Sequence, residues 1–217
     1  MRVYYLTGAQ FALSNLALRR IKIARFEDLN DPFELLGVNI GKKEHRAPFR
    51  EMKERINTTK GLICFSESWS NPVMWGHYAE KHTGICLGFD VPDHLPVPVI
   101  YRKKMLEMQI NPKTGKPTED FVNKLLRLKF SDWKYEKERR LFVGLDHTTV
   151  ESGKYFYQFS NDLALREVIL GPCCELPING VRNIIKDFYP PVLVLKSRIA
   201  FSKFRVLEDK AASRVAT

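Results

Sequence analysis

Gly61-Leu62-Ile63-Cys64-Phe65-Ser66-Glu67-Ser68-Trp69-Ser70-Asn71-Pro72-Val73-Met74-Trp75-Gly76-His77-Tyr78-Ala79 is the stretch that decides the fold. Leu62 to Phe65 is a short apolar run, the pattern of a covered strand. A polar turn follows. Asn71 is a good helix N-cap because its side chain can accept from an otherwise unpaired backbone N–H. Pro72 suits the first helical position, where its missing N–H would have no partner anyway. The helix is expected to stop near Gly84, and Ile85-Cys86-Leu87-Gly88-Phe89 reads as a second buried strand. The turn therefore gathers Ser66, Glu67, Ser68, Trp69 and Asn71 at one sheet edge beside a helix N-terminus, where backbone N–H groups point outward. Trp75 and Tyr78 are three residues apart and share a helix face.

Working outward, Val3–Leu6 reads as a first strand, residues 10–19 as a short helix, and the alternating 21–25 as a strand. Asn30-Asp31-Pro32-Phe33-Glu34 is turn chemistry, with Pro32 able to start a helix. Residues 41–59 read as a helix that turns Phe49, Met52 and Ile56 inward. Beyond the second buried strand, Val91 to Pro98 is an irregular connection and residues 99–101 a strand. Asn111 to Thr118 is a loop, and Thr118 caps a helix expected from Glu119 to about Phe130. Strands are expected at 136–143, 155–159, 167–172, 192–196 and 204–207, with a helix from Asn179 to Phe188. Strands and helices in this uneven order predict a single α+β domain over 1–208. It would contain mixed or antiparallel sheets with flanking helices. Residues 209–217 read as a disordered tail.

A chain of 217 residues with 44% hydrophobic content can bury a core as one compact domain. Its net charge of +10 and pI near 9.5 suit an anionic partner such as nucleic acid or a nucleotide, or serve solubility alone. Cys64, Cys86, Cys173 and Cys174 show no metal-binding spacing. They read as reduced, mostly core cysteines of a cytoplasmic protein, and no metal is expected. The first residues lack the layout of a signal peptide, and no run has the length of a membrane span.

Period two along 136–143 puts Glu136, Glu138, Arg140 and Phe142 on one strand face. Two carboxylates there are either surface ion pairs with Lys137, Arg139 or Arg140, or an acid pair at a pocket edge tuned by burial and Arg140. His77 is either a structural histidine or the acid–base group of a metal-free nuclease with Glu136 and Arg140. Trp75 and Tyr78 are either core residues or a stacking surface. Ser66 either closes its turn or positions a ligand. Glu34 either lies near the pocket or belongs to a purely structural turn. Tyr155-Phe156-Tyr157 and the positive charge would suit a non-catalytic nucleic-acid-binding domain. The glycine-rich signatures of dinucleotide and phosphate loops and the nucleophile elbow are absent from the sequence.

Several blocks in order resemble a large prokaryotic family known only as a domain of unknown function. They are residues 26–34, Cys64-Phe65-Ser66, Met74-Trp75-Gly76-His77-Tyr78-Ala79, Gly84 through Asp90, and Trp133-x-x-Glu136-x-Glu138-x-Arg140. Ile169-Leu170-Gly171-Pro172 fits its usual ending, so the resemblance spans about residues 3–207. The order of elements is also similar to the ADP-ribosyltransferase fold. That fold has an early strand with a polar anchor, a middle aromatic-Ser strand and a late Glu-x-Glu strand. Here these are Tyr5-x-Thr7 (or Arg2), Phe65-Ser66 and Glu136-x-Glu138. The early anchor departs from the usual His or Arg, and the usual Ser-Thr-Ser is abbreviated. The resemblance implies an enzyme using NAD to modify a nucleic acid or protein, as a toxin or phage-defence effector. Glu138 would face the ribose and Glu136 the acceptor. Ser66 would position Glu138 or the ribose, and Tyr5 and Thr7 would supply the early-strand contact. Trp75 or Tyr78 would stack on nicotinamide, and Arg139 or Arg140 would meet the pyrophosphate or the acceptor.

Overall fold

A computed structural model describes residues 1–214. The N-terminal half contains β1 (Arg2–Thr7), α1 (Ala9–Ala17), β2 (Arg20–Ile23), β3 (Val38–Asn39), α2 (Lys43–Thr59), β4 (Lys60–Ser66), α3 (Pro72–Tyr78) and β5 (Ile85–Asp90). The middle contains β6 (Val97–Pro98), β7 (Ile100–Arg102), β8 (Leu106–Glu107), α4 (Glu119–Leu125), β9 (Leu128–Phe130) and β10 (Glu138–Gly144). The rest contains β11 (Thr149–Glu151), β12 (Lys154–Gln158), β13 (Ala164–Leu170), α5 (Ile178–Ile185), β14 (Leu193–Ile199), β15 (Val206–Glu208) and α6 (Lys210–Arg214). The fold is α+β, with a mixed, mainly antiparallel sheet and flanking helices.

The chain divides into two compact units. Among the described residues the first contains 1–22, 65–95 and 157–214, and the second 23–64 and 96–156. In the first unit β5 is the central strand. Ile85, Cys86, Leu87 and Phe89 are fully buried, as its unbroken apolar run dictates. It pairs antiparallel with β1 (Tyr5 opposite Leu87) and with β13 (Val168 opposite Leu87). β14 adds parallel to β13 and β15 closes the edge antiparallel to β14. Asn71 caps α3 as its sequence demands, with Oδ1 accepting from the Val73 N–H at 2.9 Å. The helix ends at Tyr78, short of Gly84. Glu80, Lys81 and His82 all hold left-handed backbone (φ 47°, 55° and 75°), a conformation that costs an L-residue about 1–2 kcal/mol.

That turn packs under Gly171, whose N–H donates to the Gly84 carbonyl at 2.9 Å. A Cβ on Gly171 would collide with the backbone carbonyl oxygens of His82 and Gly84. Gly171→Ala is therefore expected to destabilise the protein by about 1–3 kcal/mol, the usual cost of overpacking. Urea denaturation measures this, and a midpoint equal to wild type would contradict it. The expected tail 209–217 is corrected over Lys210–Arg214, which is α6. Asp209 Oδ1 accepts from the Ala211 and Ala212 N–H groups at 3.1 Å, an N-cap that the reading as a tail overlooked. Residues 215–217 lie outside the described residues.

The second unit has its own core. Phe49, Met52 and Ile56 of α2 point inward as predicted, and meet Phe26, Leu35, Val38, Leu62, Phe121, Leu125 and Leu128. Thr118 caps α4, its hydroxyl accepting from the Phe121 N–H at 3.3 Å. The helix stops at Leu125, however, and 128–130 form β9, parallel to β7 with Tyr101 opposite Lys129. The expected strand over 136–143 also begins later. Ser131–Glu136 is a 3-10 helix, Lys137 is left-handed (φ 47°), and β10 starts at Glu138. β10 pairs with β6, Arg140 opposite Val97.

Candidate functional site

The second unit gathers five charged side chains, with Glu34, Glu136, Glu138 and Arg140 buried and Lys129 nearly so, and four local devices bring them in. Asp31 makes the turn expected of Asn-Asp-Pro, its Oδ1 accepting from the Phe33 N–H at 2.9 Å. The turn carries Glu34 inward and Phe33 outward, and Leu35 follows at φ 60°. The block is a structural turn that buries the Glu34 carboxylate, and Phe33, not Glu34, lines the cavity described below. β9 supplies Lys129, the 3-10 helix supplies Glu136, and β10 supplies Glu138 and Arg140.

Arg140 is fully buried. Its Nε donates to Glu138 Oε1 at 2.8 Å and its Nη2 to Glu138 Oε2 at 3.2 Å. Its Nη1 and Nη2 donate to Glu34 Oε2 and Oε1 at 3.1 and 2.6 Å, and Nη1 also reaches the Leu126 carbonyl at 2.9 Å. All five guanidinium N–H groups are therefore used, the condition under which a buried cation is tolerated. Lys129 Nζ donates to Glu136 at 2.6 Å and Glu138 at 3.1 Å, lies 3.9 Å from Glu34, and stands 5.1 Å from the Trp133 ring centroid. The Glu138 N–H donates to the Tyr101 hydroxyl at 2.8 Å.

Burial works to raise the Glu138 carboxyl, but the charges of Arg140 and Lys129 and hydrogen bonds from Arg140 and Cys64 outweigh it and hold it at about 2. Burial raises Glu34 against the pull of Arg140. It also pushes Tyr101 up to about 12, and it would lower Lys129 if the surrounding carboxylates did not raise it instead. The cluster holds one more carboxylate than cations. Cys64 and Cys86 are free thiols, raised well above their ordinary value by burial.

Lys129 also forms part of the wall of a cavity of about 260 Å³. Phe33, Met105, Leu128 and Phe130 give this cavity its apolar surface, and Arg102, Lys103 and Lys104 give it a cationic rim. Phe33, Met105 and Phe130 are about half exposed, at 57%, 52% and 46%. An apolar wall with convergent charged groups is the usual form of a small-molecule site.

Of the sequence candidates, Glu136, Glu138 and Arg140 come together here. Their arrangement differs from the one expected, because Glu136 leaves the strand and both carboxylates meet on Lys129 instead. Arg140 cannot meet a pyrophosphate, since its donors are taken by Glu34, Glu138 and Leu126. Arg139 lies on the other face of β10, half-buried and opposite Pro98.

Ser66, His77, Tyr5, Thr7, Trp75 and Tyr78 belong to the first unit. Ser66 is buried and closes its turn, its hydroxyl donating to the Ser68 carbonyl at 3.0 Å. Trp75 is corrected to a core residue. It is fully buried, and its Nε1 donates to the Trp69 carbonyl at 2.6 Å, so no face is left for a ligand. Tyr5 meets Phe65 edge-on at 6.3 Å, and Thr7 is buried opposite Ile85. His77 is exposed, with its ring 6.1 Å from that of Tyr78. Lys129 and the rim residues were missed. The available signal was a lysine between Leu128 and Phe130, the apolar–polar–apolar alternation of a strand.

The sequence model of a family described as a protein of unknown function, DUF2971, matches residues 74–141. That match, about a third of the chain, contains Lys129, Glu136, Glu138, Arg140 and most of the cavity wall, but not Glu34 or Phe33. No curated protein and no solved structure matches the chain. Among the described residues no helix is long and apolar enough to cross a membrane.

Proposed function

We propose that the second unit binds single-stranded nucleic acid, taking one nucleotide into the cavity bounded by Phe33, Phe130 and Arg102–Lys104. The observation that carries this is the pairing of exposed aromatic rings with three consecutive cations around one small cavity. At about 260 Å³ the cavity falls just below the roughly 300–1,000 Å³ of drug-sized sites, which suits a single base and its ribose better than a whole dinucleotide. Rings and guanidinium planes stack on a base without choosing among bases, and rim cations meet the flanking phosphates. The net charge of +10 favours the same polyanion. In this reading the buried cluster is a positioning device, because its carboxylates fix Lys129, and with it β9, in the cavity wall.

The resemblance to NAD-dependent ADP-ribosyltransferases gives a second reading, with the fold then ADP-ribosyltransferase-like. It is favoured by the convergence of Glu136 and Glu138 on one ammonium at the cavity wall. NAD would offer this cavity the same aromatic and phosphate groups. Glu138 is ionised, as a carboxylate facing a sugar cation must be. It is also buried and already paired with Arg140 and Lys129, so a ribose could reach it only by displacing one of them. Binding without turnover is therefore the better-supported reading. The toxin or defence context belongs with the second.

Fluorescence anisotropy with a labelled single-stranded oligonucleotide over a range of salt tests the proposal. R102A/K103A/K104A is expected to weaken binding at least tenfold and to make the salt slope shallower by about 2, from three lost phosphate contacts. Binding that is independent of salt, or unchanged in this variant, would contradict it. Nicotinamide release from NAD, abolished by Glu138→Gln, would instead favour the transferase reading.

A further inference from the structure

The β14–β15 hairpin of the first unit carries two phenylalanines at its tip, Phe201 and Phe204, which are 94% and 97% exposed. A ring left so fully in water has no role in holding the fold. The tip itself is well braced. The Ala200 N–H donates to the Arg205 carbonyl at 2.9 Å, the Val206 N–H to the Ser70 carbonyl at 2.9 Å, and Arg205 Nη2 to the Ser70 hydroxyl at 3.0 Å. Two aromatic rings are thus presented on a fixed support. From Phe188 to Leu207 the sequence has no acidic residue, while Lys196, Arg198, Lys203 and Arg205 are basic. Lys196 is held by the Gly171 and Cys174 carbonyls, so Arg198, Lys203 and Arg205 are the cations near the tip, and they favour an anionic partner.

The Arg198 guanidinium lies over the Phe201 ring, 4.7 Å from its centroid, and covers one face of it. A ring capped in this way offers its other face for planar stacking and keeps a cation beside it for a phosphate.

We propose that this hairpin tip is a second contact for single-stranded nucleic acid, with bases stacking on Phe201 and Phe204 and with Arg198 and Lys203 meeting the adjoining phosphates. It depends on residues of the first unit alone and stands whether or not the cavity of the second unit binds a base.

The test uses the full chain and a short fluorescein-labelled single strand. F201A/F204A removes only exposed rings, so its denaturation midpoint should match that of wild type. Its affinity should fall roughly tenfold or more, in line with the loss of base–aromatic stacking, with no change in the salt slope. Phe201→Trp should bind as wild type does and show fluorescence quenching on addition of the strand. An affinity within twofold of wild type for F201A/F204A would overturn the proposal. So would binding to phosphatidylserine vesicles that F201A/F204A abolishes while strand binding is untouched, since the tip would then be a membrane contact. Loss of binding in R102A/K103A/K104A with none in F201A/F204A leaves the cavity as the site and removes the hairpin; the reverse removes the cavity and keeps the hairpin.

Discussion

Arg140→Ala is expected to lower the unfolding free energy by about 3–5 kcal/mol, the usual cost of removing one partner from a buried ion pair. The substitution leaves Glu34 and Glu138 buried without the guanidinium that both accept from, and it opens a void beside the Leu126 carbonyl. Domains of this size are stable by only about 5–15 kcal/mol, so the variant should lie near its folding threshold. Arg140→Lys keeps the charge but not the fork that serves two carboxylates at once, and should fall between the two. Urea denaturation at neutral pH measures the series. An Arg140→Ala protein within about 1 kcal/mol of wild type would mean that the cluster is as weakly coupled as a surface pair.

Acid should reveal the same cluster. The Glu138 carboxyl is held at about 2 against an ordinary value of 4.5. Its stabilisation is thus complete above about pH 4.5 and is lost as pH falls through about 2. The shift corresponds to roughly 3 kcal/mol. Glu34 works in the opposite sense, because burial raises it, so acid first relieves a cost there before it removes the Glu138 contribution. Asp90, held down by Arg2, titrates alike in wild type and in a Glu138 variant and cancels in their difference. Glu138→Gln should therefore be clearly less stable than wild type at pH 7, and the gap should close toward pH 2. Denaturation midpoints across that range check this; a gap that stays constant would show that Glu138 is not ionised in its pocket.

Much of the fold was legible because local signals agreed with the tertiary structure. Asn71 and Pro72 start α3, Thr118 starts α4, and the spacing of Phe49, Met52 and Ile56 fixes the buried face of α2. The misreadings fall where a short segment switches conformation without glycine or proline to mark it. Residues 126–130 turn from helix to strand, and Lys137 takes left-handed backbone between two glutamates. The site was legible in part for the same reason. Glu136 and Glu138 were recognised as a pair needing a cation, but the cation sought was a neighbour in sequence. The structure brings Lys129 from β9 and Glu34 from a turn 106 residues before Arg140, and no local pattern reports a contact of that range. The alternation rule applied to 136–143 holds for Glu138 and Arg140, which share a face of β10, and fails for Glu136, which precedes the strand.

Photocrosslinking tests the central claim most directly. A single strand containing 4-thiouridine is irradiated with the wild-type protein, and the attached peptides are mapped by mass spectrometry. Crosslinks to Phe33, Met105 or Phe130, lost in R102A/K103A/K104A, are the predicted result. A strand that crosslinks efficiently elsewhere and never to the residues of this cavity would contradict the account.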